Sequence, residues 1–158
     1  MAQYSVFEIA DEILKIAKRE GRALTPLQLM KLVYIAHGWS LAIRNVDLFS
    51  NRIEAWKYGP VVPDLYQATK SYGRAPIPLA RIDASTSAID ENTASFLRDV
   101  FKKYGHLSGF ALSELTHKPG TPWEQIYEDD AYGLEIPDAL IKDHYLRLLH
   151  ERGSPAAR

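Results

Sequence analysis

"TPLQLMKLVYIAHGWSLAIR", residues 25–44, is the stretch on which the fold turns. Thr25 is a cap residue, Pro26 follows where a helix has no N–H to lose, and Gln28 can reach back to the cap backbone, so a helix starts here. Beyond it the apolar side chains leave no polar face. Leu29, Leu32, Val33 and Ala36 fill one side of the helix, and Leu27, Met30, Tyr34 and Leu41 fill another. A helix that is apolar all round has no side to offer water and must be surrounded by other elements. The expectation is a central helix over 25–44 with the rest of the domain wrapped around it.

Working outward, Ser5 and Glu8 form a capping box ahead of Val6, Ile9, Ala10, Ile13, Leu14 and Ala17, which recur at helical spacing up to Gly21. After the central helix, residues 45–52 are turn-rich, and 53–57, "IEAWK", reads as a short strand. Tyr58-Gly59-Pro60 reads as a turn. A third helix follows with Val62, Leu65, Tyr66, Thr69 and Tyr72 inward, Pro63 and Asp64 in its first turn and Gly73 at its end. Residues 74–89 carry no periodicity and read as a surface loop. A further helix from about Asp90 presents Phe96, Leu97, Val100, Phe101 and Tyr104 up to Gly105, and Ser108 caps a short one bearing Ala111, Leu112 and Leu115. Thr121-Pro122-Trp123-Glu124 reads as another capping box, 134–136 as a short strand, and Pro137 as the start of a last helix burying Leu140, Ile141, Tyr145, Leu148 and Leu149. The fold class expected is therefore mainly α: a compact single-domain bundle of about seven helices around 25–44, with at most two or three very short strands. Residues 1–152 form the domain and 153–158 a flexible C-terminal tail. The tripeptides "KYG", "SYG" and "KYG" have unlike surroundings and are no repeat.

Composition narrows the function. At 158 residues, 46% hydrophobic and 25% charged, the chain is long and apolar enough to bury a core without staples. It has no cysteine, which excludes disulfides and thiolate zinc sites. With 19 basic and 20 acidic residues it lacks the surplus that nucleic-acid binding rests on. The cluster Lys15, Lys18, Arg19 and Arg22 suits the carboxyl end of the first helix. No apolar run approaches the roughly 20 residues of a membrane span, and the N-terminus lacks a signal-peptide pattern, so a cytoplasmic protein with no membrane partner is expected.

Catalytic motifs are sparse. Ser108 in "GHLSG" has its upstream glycine one residue too far for a nucleophile elbow. Glu114 and His117 give half of a carboxylate-bridged di-metal motif with no second half, which keeps a metal-dependent enzyme open as a minor reading. His37 sits among apolar residues as a core histidine would. No phosphate-binding glycine loop is present. No catalytic, metal or cofactor-binding residue is expected. "EAWKYGPVVPDLY", residues 54–66, combines aromatic rings, a rigid turn and opposite charges, and reads either as a folded corner or as a recognition surface.

The run from Thr25, continued by "LFSNRIEAWKYGPVVPDLY", by Tyr72-Gly73, by "YGHLSGFALSELTH" at 104–117 and by Pro122-Trp123, resembles the Panacea antitoxin domain family, SocA-like or phage-associated GepA-like. The resemblance covers about residues 5–130. Its structural signature falls on Lys31, Trp39, Glu54, Trp56, Gly59, Tyr66, His117 and Trp123. It implies a compact helical antitoxin that neutralises a cognate protein toxin, usually encoded next door, by direct binding. In the SocA-like branch it implies also a proteolytic adaptor that hands the toxin to the ClpXP protease. Transcriptional control is a further reading that the near-neutral charge disfavours. Met30, Ile35 and His37 depart from the family's usual glutamine, aromatic ring and glutamine, which bears on partner choice. Within the 54–66 stretch, Lys57, Tyr58, Pro60 and Val61 are the candidate partner contacts. Trp56 and Tyr66 are expected in the core, Gly59 and Pro60 fix the turn, and Glu54 with Lys31 can form an internal ion pair.

Overall fold

A computed structural model describes residues 2, 4–78 and 89–152. The two capping boxes form as read. Ser5 Oγ accepts from the Glu8 N–H while Glu8 accepts from the Ser5 N–H, opening α1 (Val6–Arg19). Thr25 and Gln28 do the same for α2 (Pro26–Trp39). From Leu29 to Leu41 every residue is buried, Lys31, His37 and Ser40 included. Each fully buried leucine there contributes about 1.5–3 kcal/mol of transfer free energy, which is what holds the surrounding elements on α2. The central helix runs as far as expected, but its last turn, Ser40–Arg44, is π-helical. Asn45 stops it in the left-handed conformation at φ 56°, and Ser40 Oγ donates to the Val46 carbonyl.

The domain is mainly α. Around α2 pack α1, α3 (Pro63–Thr69, continued by a 3-10 turn, Lys70–Tyr72), α4 (Glu91–Tyr104), α5 (Gly109–His117) and α7 (Asp138–Arg152), with α6 (Pro122–Ile126) bridging α5 and α7. That makes seven α-helices among the described residues. Asp90 caps α4 and is tied to the N-terminal segment by the Tyr4 hydroxyl; Ser108 caps α5. Ile77 is buried and donates its N–H to the Leu24 carbonyl, pinning the start of the 74–89 loop to the α1–α2 corner. Most of that loop, and the expected tail at 153–158, lie outside the described residues.

Among the described residues three strands form one antiparallel sheet in the order β2-β1-β3: β1 (Glu54–Trp56), β2 (Gly59–Val61) and β3 (Leu134–Glu135). Trp56 pairs with Gly59 and Glu54 with Val61, so the turn is only Lys57-Tyr58. The sequence reading put Gly59 and Pro60 in the turn; they are strand. Proline is tolerated because β2 lies at the sheet edge.

Other local expectations need correction. α3 buries only Leu65 and Thr69, leaving Tyr66 exposed and Tyr72 half-buried. The third capping box does not form: Thr121 Oγ1 donates to the Lys118 carbonyl, and Glu124 accepts from Gly120 N–H instead. On α7, Ile141 and Tyr145 are buried, whereas Leu140, Leu148 and Leu149 are half-buried. No helix among the described residues is long and apolar enough to cross a membrane.

Candidate functional site

The β1–β2 hairpin is held by side chains from far along the chain. Its carbonyls at Trp56, Tyr58 and Pro60 each accept one. Trp123 donates its indole N–H to Trp56, Ser113 Oγ donates to Tyr58 at 3.1 Å, and Lys31 Nζ donates to Pro60 at 2.9 Å. Just beyond, the Val62 N–H meets Met30 Sδ at 3.3 Å. His117 supports two of these groups: its Nδ1 binds the Ser113 carbonyl, and its ring lies edge-on to Trp123 at 5.3 Å. Gly59 has two reasons to be glycine. Its φ is 124°, and a Cβ there would stand 2.8 Å from Lys31 Nζ.

The expected Lys31–Glu54 ion pair does not form. Glu54 accepts from Arg52 at 2.7 Å and from the Trp56 indole at 2.9 Å, while Lys31 is spent on a carbonyl. Trp39 is core, donating to the Tyr104 hydroxyl at 3.0 Å and packing edge-on to Tyr145.

Beside the clamped hairpin runs a groove of about 410 Å³. Its walls are the start of α2 (Pro26, Leu27, Met30, Lys31), the hairpin (Trp56, Lys57, Tyr58, Val61) and the end of α3 with its 3-10 turn (Tyr66, Thr69, Lys70, Gly73). Trp56 and Tyr66, expected in the core, are instead one wall of it. Trp56 is half-buried, Tyr66 is 39% exposed, and their rings meet edge-on at 5.0 Å.

Of the candidate contacts, Lys57 and Tyr58 stand exposed at the hairpin tip, Tyr58 at 71%, and Val61 is half-buried in the groove. Pro60 is buried, so it positions the others and is not itself a surface. Sequence reasoning missed Leu27, 44% exposed at the groove, and Phe110, 75% exposed in the first turn of α5. Gly109, next to Phe110, lies against the Leu27 side chain. The one signal for these was an apolar residue at each position, which an inward-facing residue gives equally well.

Among the described residues, those lining the groove include three lysines and no carboxylate. Lys31 is 1% exposed, and burial alone lowers its pKa from 10.5 to about 7. The remaining motifs are structural. Ser108 is a helix cap, Glu114 is exposed, and among the described residues no three His, Cys, Asp or Glu gather as a metal site. His37 is buried, bonded to Asp138 at 2.9 Å and stacked on Phe49. In the basic cluster of α1, Lys15 pairs with Asp11 and Arg19 with Glu12.

Fold and site together define a small, mainly helical domain with a groove beside a clamped aromatic hairpin. The chain belongs to the SocA-like antitoxin family, Panacea domain, whose model matches residues 29–124. That segment opens just before Lys31 and closes just after Trp123, so it contains the whole hairpin clamp. The chain is 28% identical over 150 residues to Antitoxin SocA of Caulobacter vibrioides (strain NA1000 / CB15N), covering 87% of this chain and 80% of that protein. No solved structure matches it.

Proposed function

We propose that this protein is an antitoxin that neutralises a cognate protein toxin by direct binding, with the hairpin tip and the adjoining groove as the docking face. The observation that carries this is Tyr58: a large ring, mostly exposed, on a two-residue turn whose strands are fixed by three long-range hydrogen bonds. Rigid aromatic residues lose little entropy on binding and carry much of the energy at interfaces. Leu27, Val61 and Tyr66 extend the same surface as apolar area. Membership of an antitoxin family supports the role and points away from catalysis.

The test is co-expression with the protein encoded next door, scored for growth and for co-purification. Rescue with a stable complex that is lost in Tyr58→Ala supports the reading. Neither rescue nor complex would overturn it. Rescue accompanied by disappearance of the toxin, reversed in cells lacking ClpXP, would replace masking by delivery to the protease.

A further inference from the structure

We propose that the groove receives an apolar segment of the toxin carrying one acidic residue, whose carboxylate is held by Lys31 at the floor with Lys57 and Lys70 at the rim. This rests on the groove being the docking face. Charge complementarity identifies the occupant. Among the described residues, the groove lining includes three lysines and no carboxylate, and none of the three lysines has a carboxylate partner. Nearby Arg52, by contrast, is matched by both Glu54 and Glu135.

Lys31 is the unusual member. An ammonium has three N–H donors, and here one goes to the Pro60 carbonyl while the side chain is 1% exposed. A buried lone cation is expensive, and what offsets it is an anion. The titratable groups around it cannot serve. They are Lys57 and Tyr58 from the hairpin, Tyr66 and Lys70 from α3 and its 3-10 turn, and His117 from α5 across Gly59, none of them a carboxylate; Glu54 of β1 is taken up by Arg52 and the Trp56 indole. The Pro60 carbonyl keeps one N–H and an incoming carboxylate takes another. Trp56, Tyr66 and Leu27 supply the apolar walls for its flanking residues.

A pH dependence with a definite sign follows. Burial leaves Lys31 with a pKa of about 7 in the free protein. Above that pH, carboxylate binding must recharge it, so affinity falls by up to about tenfold per pH unit.

The probe is phenylacetate against its neutral isostere phenylacetamide, followed by NMR shifts of Leu27, Tyr58, Gly59 and Gly73. Both should shift these residues, with the acid binding at least about fivefold tighter near pH 6.5 and losing most of that advantage toward about pH 8.5. In Lys31→Met most of the acid's advantage should be lost, leaving only what the two rim lysines supply. Lys57→Met with Lys70→Met, both changes remote from the core, should reduce the preference without abolishing it.

Equal affinities for acid and amide in the wild-type chain, or no groove shifts at tens of millimolar, overturn the proposal. Equal affinities together with toxin capture that still fails in Tyr58→Ala leave the docking face standing and remove the carboxylate alone. An acid preference lost in Lys31→Met, with toxin capture indifferent to Tyr58→Ala, refutes the docking face and with it the toxin segment. Concentration-dependent shifts of the same residues without probe would assign the groove to a second copy of the chain and overturn the proposal too.

Discussion

Replacing Lys31 by methionine should stabilise the protein at neutral pH and destabilise it at high pH. In the folded chain burial brings the lysine from its ordinary 10.5 to about 7. The unfolded chain keeps the proton up to about 10.5, so between those values unfolding takes up a proton and wild-type stability rises with pH. Below about 7 the full penalty of charging a buried ammonium is present; above 10.5 it is gone. A drop of about 3.5 pH units at about 1.4 kcal/mol each sets that penalty at about 5 kcal/mol, an upper bound. Methionine fills a similar volume and removes it, but leaves the Pro60 carbonyl unpaired, a pH-independent loss of about 1–3 kcal/mol. The variant should therefore be more stable by about 2–4 kcal/mol near pH 6, with the two stability curves crossing near pH 9. Urea denaturation of both proteins from about pH 6 to about pH 10, read as the difference between them, cancels the other titrating groups. A difference that stays constant across this range would refute the reasoning, because it would mean that Lys31 does not change protonation on folding.

Gly38→Ala should destabilise the protein by about 1–3 kcal/mol, against the usual gain from alanine in a helix, because the new Cβ would stand 2.3 Å from the buried Tyr145 ring. Thermal or urea unfolding gives the sign directly. Gly59→Ala should cost about 1–3 kcal/mol on the same assay, since it forces a side chain onto a φ of 124° and against Lys31 Nζ. Asp90 is held down at about 2, chiefly by the Tyr4 hydroxyl, so the stability it lends is present above its ordinary 3.8 and lost as pH falls toward 2. The acid limb of a Tm-against-pH curve should be shallower in Tyr4→Phe. Tyr58→Ala should leave stability within about 0.5 kcal/mol but weaken capture of the toxin by tenfold or more, measured by titration calorimetry.

The central helix was legible in the sequence because everything that defines it is local. Thr25, Pro26 and Gln28 lie within one turn, and the apolar run that follows admits no solvent face. The caps at Ser5 and Ser108 were legible for the same reason. Thr121 looked equally good and failed, because the Lys118 carbonyl competes for its hydroxyl and wins. β2 could not be read at all. Gly59 and Pro60 are poor strand formers, and the conformation of Gly59-Pro60-Val61 is imposed from outside by β1 and by donors on α2 and α5.

That contrast explains what the scattered signature is for. Lys31, Ser113 and Trp123 lie 29, 55 and 67 residues from the carbonyls they hold, and no periodicity or spacing rule connects them. In the fold they are one device, a clamp on alternate carbonyls of a hairpin too short and too poor in strand formers to hold itself. Two members of the clamp could be replaced by other neutral donors at little cost. Lys31 is the costly member, because a buried ammonium is the least economical way to satisfy one carbonyl. A residue whose structural task a neutral donor could perform, at a penalty of up to about 5 kcal/mol, is the one for which we propose a further use of the charge. Its place in the lining of the groove, beside the exposed hairpin tip and the Trp56–Tyr66 wall, is what supports the proposal that one side chain serves both the clamp and toxin binding.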